Sequence, residues 1–160
     1  MQAKNRVRAY AVMLMLFSFN SVYSQIPAIQ ELGKEAGKVS DVRHISVGRF
    51  MLGMASTFAD KEQRAVFKML DNIEMIECRN GEYASCLSER MLQIIDDVGA
   101  RYLASQDDGK ALNKIYAVQN VNVVNELIIL VYGYDKNFTV VAMSGEIPLE
   151  RLQEISRIKP

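Results

Sequence analysis

From Lys114 onward the apolar residues stop recurring every third or fourth position and begin to alternate, and this switch constrains the fold more than any other feature. Three strand-like segments follow one another over 114–120, 124–135 and 137–147. The links between them, at Asn122 and at Asp135-Lys136-Asn137, are too short to carry a crossover. Strands joined so tightly pair antiparallel, so this stretch reads as a meander. Upstream, the spacing predicts a helix over 26–36, stopped by Gly37, and a strand over 39–46. Val47, Phe50, Met51, Met54 and Phe58 recur at helical spacing, which predicts a second helix laying one apolar stripe on the core. Asp60 followed by Gln63 reads as a capping pair that restarts a helix. A strand over 73–78, a long helix over 82–104, a polar loop at 106–109 and a last helix opening at Pro148 complete the pattern. In that last helix Leu149, Leu152 and Ile155 form the apolar side. The expected fold is α+β: a mixed sheet of about five strands ending in an antiparallel meander, with helices packed mainly on one face.

The first residues read differently. Lys4, Arg6 and Arg8 precede an uninterrupted apolar run over 9–17, and Val22 and Ser24 suit the small-residue positions before a cleavage site. The run falls short of the ~20 residues a spanning helix needs. Residues 1–24 are therefore expected to be a signal peptide cut before Gln25, and 25–160 a single domain in the periplasm or outside the cell. Three of the 19 basic residues lie in that leader, so the remainder is slightly acidic, with Lys and Arg scattered. Nucleic-acid binding normally needs a basic stripe, and that class is disfavoured. The stretch 121–134 comes nearest to a membrane span, but Asn122, Asn125 and Glu126 interrupt it.

Candidate chemistry is sparse. Cys78 and Cys86 flank an Asn80-Gly81 turn, and an even cysteine count in an oxidising compartment favours a disulfide between them over two free thiols. His44 is the only histidine, so a four-ligand zinc site lacks partners. Histidine is the side-chain type whose unperturbed pKa lies near neutrality, yet no Gly-x-Ser-x-Gly elbow accompanies His44. Asp96 and Asp97 point about 100° apart on a helix, and Asp107 and Asp108 lack the spacing of an EF-hand loop. No Gly-rich phosphate cradle or Cys-x-x-Cys pair is present. No cofactor and no metal is expected.

The central late strand carries two apolar sides. Leu127, Ile129 and Val131 are expected to meet the helices. Glu126, Ile128, Leu130, Tyr132 and Tyr134 point the other way, and an apolar, aromatic face of this kind is expected to be a contact surface. The alternative is a sheet covered on both sides by its own helices.

Several segments resemble a family of exported proteins from Bacteroidota, catalogued as domain of unknown function 4252. They are Val42-Arg43-His44-Ile45-Ser46, Phe50-Met51-Leu52, Ile73-Glu74-Met75-Ile76, Asn125-Glu126-Leu127-Ile128-Ile129-Leu130 and Ser144-Gly145-Glu146-Ile147-Pro148-Leu149-Glu150-Arg151-Leu152. The resemblance implies export and an α+β fold and assigns no catalytic residue. Some relatives are anchored by lipid at a cysteine beside the cleavage site, whereas no cysteine precedes Cys78 here. The resulting expectation is an exported envelope domain, non-enzymatic, that binds another envelope protein or a second copy of itself. The competing expectation is a small hydrolase whose site the fold assembles around His44 and carboxylates.

Overall fold

The computed structural model describes residues 26–152. The expected leader and Ile155 lie outside the described residues. The first helix, α1 (Ile26–Ala36), buries Ile29, Leu32 and Ala36, a spacing of three then four that puts them on one side. After β1 (Val42–Gly48) come two short helices, α2 (Arg49–Phe58) and α3 (Lys61–Phe67). Asp60 caps α3 as its spacing to Gln63 suggested, its carboxylate accepting from the Gln63 N–H at 2.8 Å. Strand β2 (Leu70–Cys78) leads into α4 (Gly81–Asp97), whose first turn is capped by Asn80 accepting from the Tyr83 N–H at 3.1 Å. Four strands follow: β3 (Arg101–Asp107), β4 (Ala111–Asn120), β5 (Val123–Gly133) and β6 (Phe138–Pro148). A 3-10 turn, Leu149–Arg151, stands where the last expected helix opens, and the rest of that expected helix lies outside the described residues.

The six strands form one antiparallel sheet in the order β1-β2-β6-β5-β4-β3. The domain is α+β, and the meander is where the sequence put it. Two corrections apply. The sheet has six strands, all antiparallel, because the helix expected over 82–104 stops at Asp97. Gly99 takes a left-handed φ of +66°, and its N–H bonds the Asp96 carbonyl while the Ala100 N–H bonds that of Ile95. This glycine stop satisfies the last carbonyls and turns the chain outward. Residues 101–107 are then free to add an edge strand.

The second correction concerns the layers. Helices lie on both faces of the sheet. Helices α1 and α4 cover one face, where Ile29, Leu32, Leu87, Met91 and Ile95 meet Ile76, Ile128, Leu130, Phe138 and Val140. Helices α2 and α3 and the final turn cover part of the other, where Leu52 and Val66 meet Leu70, Leu127, Met143 and Ile147. Each fully buried Leu, Ile or Met contributes about 1.5–3 kcal/mol relative to exposure. The first layer holds more of them and is the main core.

Candidate functional site

The face under α1 is not wholly apolar. Glu74, on β2, has no exposed surface, and four donors converge on its carboxylate. Oε1 accepts from Ser46 Oγ at 2.6 Å, from Asn72 Nδ2 at 2.8 Å and from Gln30 Nε2 at 3.1 Å. His44 Nε2 lies 2.7 Å from Oε2 and, with a carboxylate as acceptor, donates to it. The sheet arranges this set: Ser46 stands directly opposite Glu74 across the β1–β2 pair, with His44 and Asn72 one pleat away on the same side. Gln30 comes down from α1. A buried carboxylate is costly unless hydrogen-bonded, and here four donors satisfy it.

His44 and a carboxylate do converge, then, but not in a catalytic order. Imidazole activates a serine by accepting its proton, whereas Ser46 donates to Glu74. The ring is also capped: a Cβ added to Gly33 of α1 would sit 2.5 Å from His44 Cδ2. The cluster fastens α1 to β1 and β2.

Chemistry of another kind lies on the opposite face. Directly paired residues share a side of the sheet, so the register can be followed across it in rows. One row, Val47, Ile73, Met143, Leu127 and Ala117, lies in the core under α2, α3 and the final turn. The next, Ile45, Met75, Val141, Ile129, Ile115 and Ala104, crosses all six strands and is apolar throughout, with Ile45 and Ala104 exposed at its ends. A third row begins with Arg43 and Glu77 and is largely polar. Burial opposes ionisation of Glu77, but hydrogen bonds from Arg79 and Arg43 outweigh it and hold the carboxyl below its ordinary value.

Helix α2 stands at the other end of this face, against the row that holds Val47 and Ile73. The helix was expected to lay Phe50, Met51, Met54 and Phe58 on the core; instead Leu52 is its buried residue. The four stripe residues are exposed, Phe50 at 78% and Phe58 at 92%. Leu52 and Met54 differ by two positions, about 200° around the helix, so burying one turns the other outward. The periodicity was legible; which side faced the core was not.

The other residues singled out from the sequence fall as follows. Ile128 and Leu130, expected in a contact face, are buried at 1% and 0% in the main core, and Glu126 is buried beside them. Tyr132 is half-buried, accepting from Ser88 Oγ at 3.2 Å under the Lys114 ammonium, and Tyr134 is exposed. The reason is topological. The connection from β2 to the far edge β3 runs through α4, which takes this face. Cys78 and Cys86 are both free thiols rather than the expected pair. The Cys78 side chain is buried at the end of β2 and donates to the Asn80 carbonyl at 3.3 Å, while Cys86 lies on the outer side of α4. Burial pushes the Cys78 thiol up, against the pull of that Asn80 contact.

Asp107 and Asp108 form the β3–β4 turn. Asp108 accepts from the N–H groups of Lys110 and Ala111, each at 2.9 Å, and Asp107 from the Gly109 N–H at 2.9 Å and the Tyr134 hydroxyl. The Tyr134 bond, followed by that from Gly109, holds the Asp107 carboxyl below its ordinary value, and the same bond raises the Tyr134 phenol. Among the described residues no three His, Cys, Asp or Glu side chains gather as a metal site. None of the described helices is long and apolar enough to cross a membrane.

Fold and site together define an α+β domain whose buried cluster satisfies the Glu74 carboxylate while leaving Asn72 Oδ1 without a hydrogen-bond partner, and whose conspicuous surface chemistry is apolar. The family model for the Domain of unknown function (DUF4252) matches residues 37–155, and the chain belongs to that family. Comparison with curated proteins and with solved structures found no match in either.

Proposed function

We propose that this is an exported, non-enzymatic interaction domain of the cell envelope, and that it holds its partner on the outer side of α2. The observation that carries the reading is the stripe Phe50, Met51, Met54 and Phe58 standing in solvent on a helix whose inner side is already packed. Monomeric proteins rarely leave several large apolar side chains together without use. Aromatic residues and Met are the types enriched at interface cores. Export is supported by the basic start, the apolar run and the small residues before Gln25.

The test is capture from the organism's own envelope fraction with the tagged protein, comparing wild type with Phe50→Ser and Phe58→Ser. Both positions are exposed, so both variants keep the wild-type melting temperature. Loss of the captured partner in both supports the reading; full retention in both rejects α2 as the contact surface. N-terminal sequencing of envelope material that begins at Gln25 supports export, and a retained 9–17 segment rejects cleavage.

A further inference from the structure

Resting on that reading of α2 as a contact surface, we infer that its occupant is a second copy of this chain, the two α2 helices crossing antiparallel about a two-fold axis at Met54. The stripe is self-complementary. Phe50, Met54 and Phe58 are spaced by four and four, so reversing the helix about Met54 exchanges one Phe for the other. A two-fold interface requires this, since each residue that meets a second must be met by it in return. Phe50 of each chain then packs against Phe58 of its copy, and the Met54 side chains meet on the axis.

The ends also match. Arg49, which already pairs with Asp71 of its own chain, opens α2, and Asp60, which caps α3, lies two residues beyond its close, with no acidic residue between them. Antiparallel crossing brings the Arg49 end of one helix to the Asp60 end of the other, and opposes the helix dipoles favourably. A parallel arrangement would instead set Arg49 against Arg49. Ridges formed by residues four apart pack at about −50°, which confines the contact to roughly one turn either side of the crossing. A ten-residue helix supplies that length. The four side chains offer about 500 Å² of apolar surface per chain. That places the pair among small, transient interfaces, with Kd about 1–100 µM. A lipid surface suits the stripe less well, because interfacial helices carry Lys and Arg along their polar side and α2 has only Arg49.

Geometry-specific cross-linking tests the proposal. In a Cys86→Ser background, Met54→Cys should form a disulfide-linked homodimer on mild oxidation. Phe50→Cys mixed with Phe58→Cys should link to each other in preference to themselves. Sedimentation of the otherwise unaltered protein should show a reversible dimer, and Phe58→Asp should weaken it at least tenfold with no loss of melting temperature. Self-linking of Phe50→Cys in preference to Phe58→Cys overturns the antiparallel arrangement. A protein that stays monomeric at about 200 µM overturns the second copy as occupant. In that event, an envelope partner or anionic phosphatidylglycerol vesicles released by Phe58→Asp would leave α2 as the contact surface with a different occupant. Indifference of dimer, partner and vesicle binding alike to Phe58→Asp removes both readings.

Discussion

Replacing Gly33 with Ala sets two effects of similar size against each other, and the structure decides the sign. Gly33 lies inside α1, where Ala is better by about 0.8–1 kcal/mol on helix propensity alone. Against this, the new Cβ would sit 2.5 Å from His44 Cδ2 and 2.6 Å from Nε2. Something must move. If α1 lifts, the cost is that of overpacking, typically 1–3 kcal/mol. If the ring turns away, the buried Glu74 carboxylate loses a donor, a penalty of about 1–3 kcal/mol. Either way the clash offsets or exceeds the propensity gain, and the expected outcome is a net loss of up to about 2 kcal/mol. Gly53 is the internal control: it is helical too, in α2, and a Cβ there meets nothing within 4 Å. Gly53→Ala should stabilise by up to ~1 kcal/mol. Urea unfolding followed by circular dichroism measures both, with the midpoints read at constant slope. In a His44→Ala background the Gly33→Ala cost should shrink, since the obstructing ring is gone. Stabilisation by Gly33→Ala equal to that by Gly53→Ala would refute the seating of α1 on His44 and with it the closed account of the polar cluster.

Other outcomes follow from single positions. Leu130→Lys places a charge at a site with no exposure, and should abolish the cooperative thermal transition or the soluble yield. An iodoacetamide pulse on native protein should label Cys86 and leave Cys78 untouched until denaturant is added, read by peptide mass spectrometry; a disulfide-linked peptide would contradict the two free thiols. Tyr134→Phe should raise the Asp107 pKa towards its ordinary value in an NMR titration. Because folding depresses the Asp107 pKa, the stability it contributes is present above the unfolded carboxylate range and lost as pH falls through the folded value. The raised Tyr134 pKa works in the other direction, its share being lost as pH rises through the folded phenol value.

The meander was readable because its links were short and its alternation long, so local rules sufficed. The same holds for Asp60 as a cap. Assignment of faces was harder. Alternation along β5 separates Ile128 and Leu130 from Leu127 and Ile129 but is symmetric between the two sides of a sheet. Which side becomes the main core depends on the route of α4, a long-range property. The α2 stripe shows the same limit: apolar spacing marks a helix and says nothing of what it faces. Edge strand β3 was hidden by helix periodicity running past Asp97, although Gly99 was a visible stop signal. The Glu74 cluster was the least legible, since Gln30, His44, Ser46, Asn72 and Glu74 are joined by pairing register and by helix docking rather than by any motif. Only the isolation of His44 hinted that it needed a partner.

The strand order has a consequence for the time course of folding. Strand β6 lies between β2 and β5, so it alone joins the β1–β2 pair to the β3–β4–β5 group. A chain emerging from its amino end has both groups available before Phe138–Pro148 arrives. Until then β2 and β5 each present an unpaired edge, and the apolar residues on both lack their covering neighbour. The joining pairs, such as Leu70 with Gly145, span more than half of the described chain, and closing so long a loop is entropically slow. Refolding should therefore be paced by the arrival of β6 rather than by the helices. The interval before it docks is when the nascent chain is most exposed to misassociation and gains most from a holding chaperone.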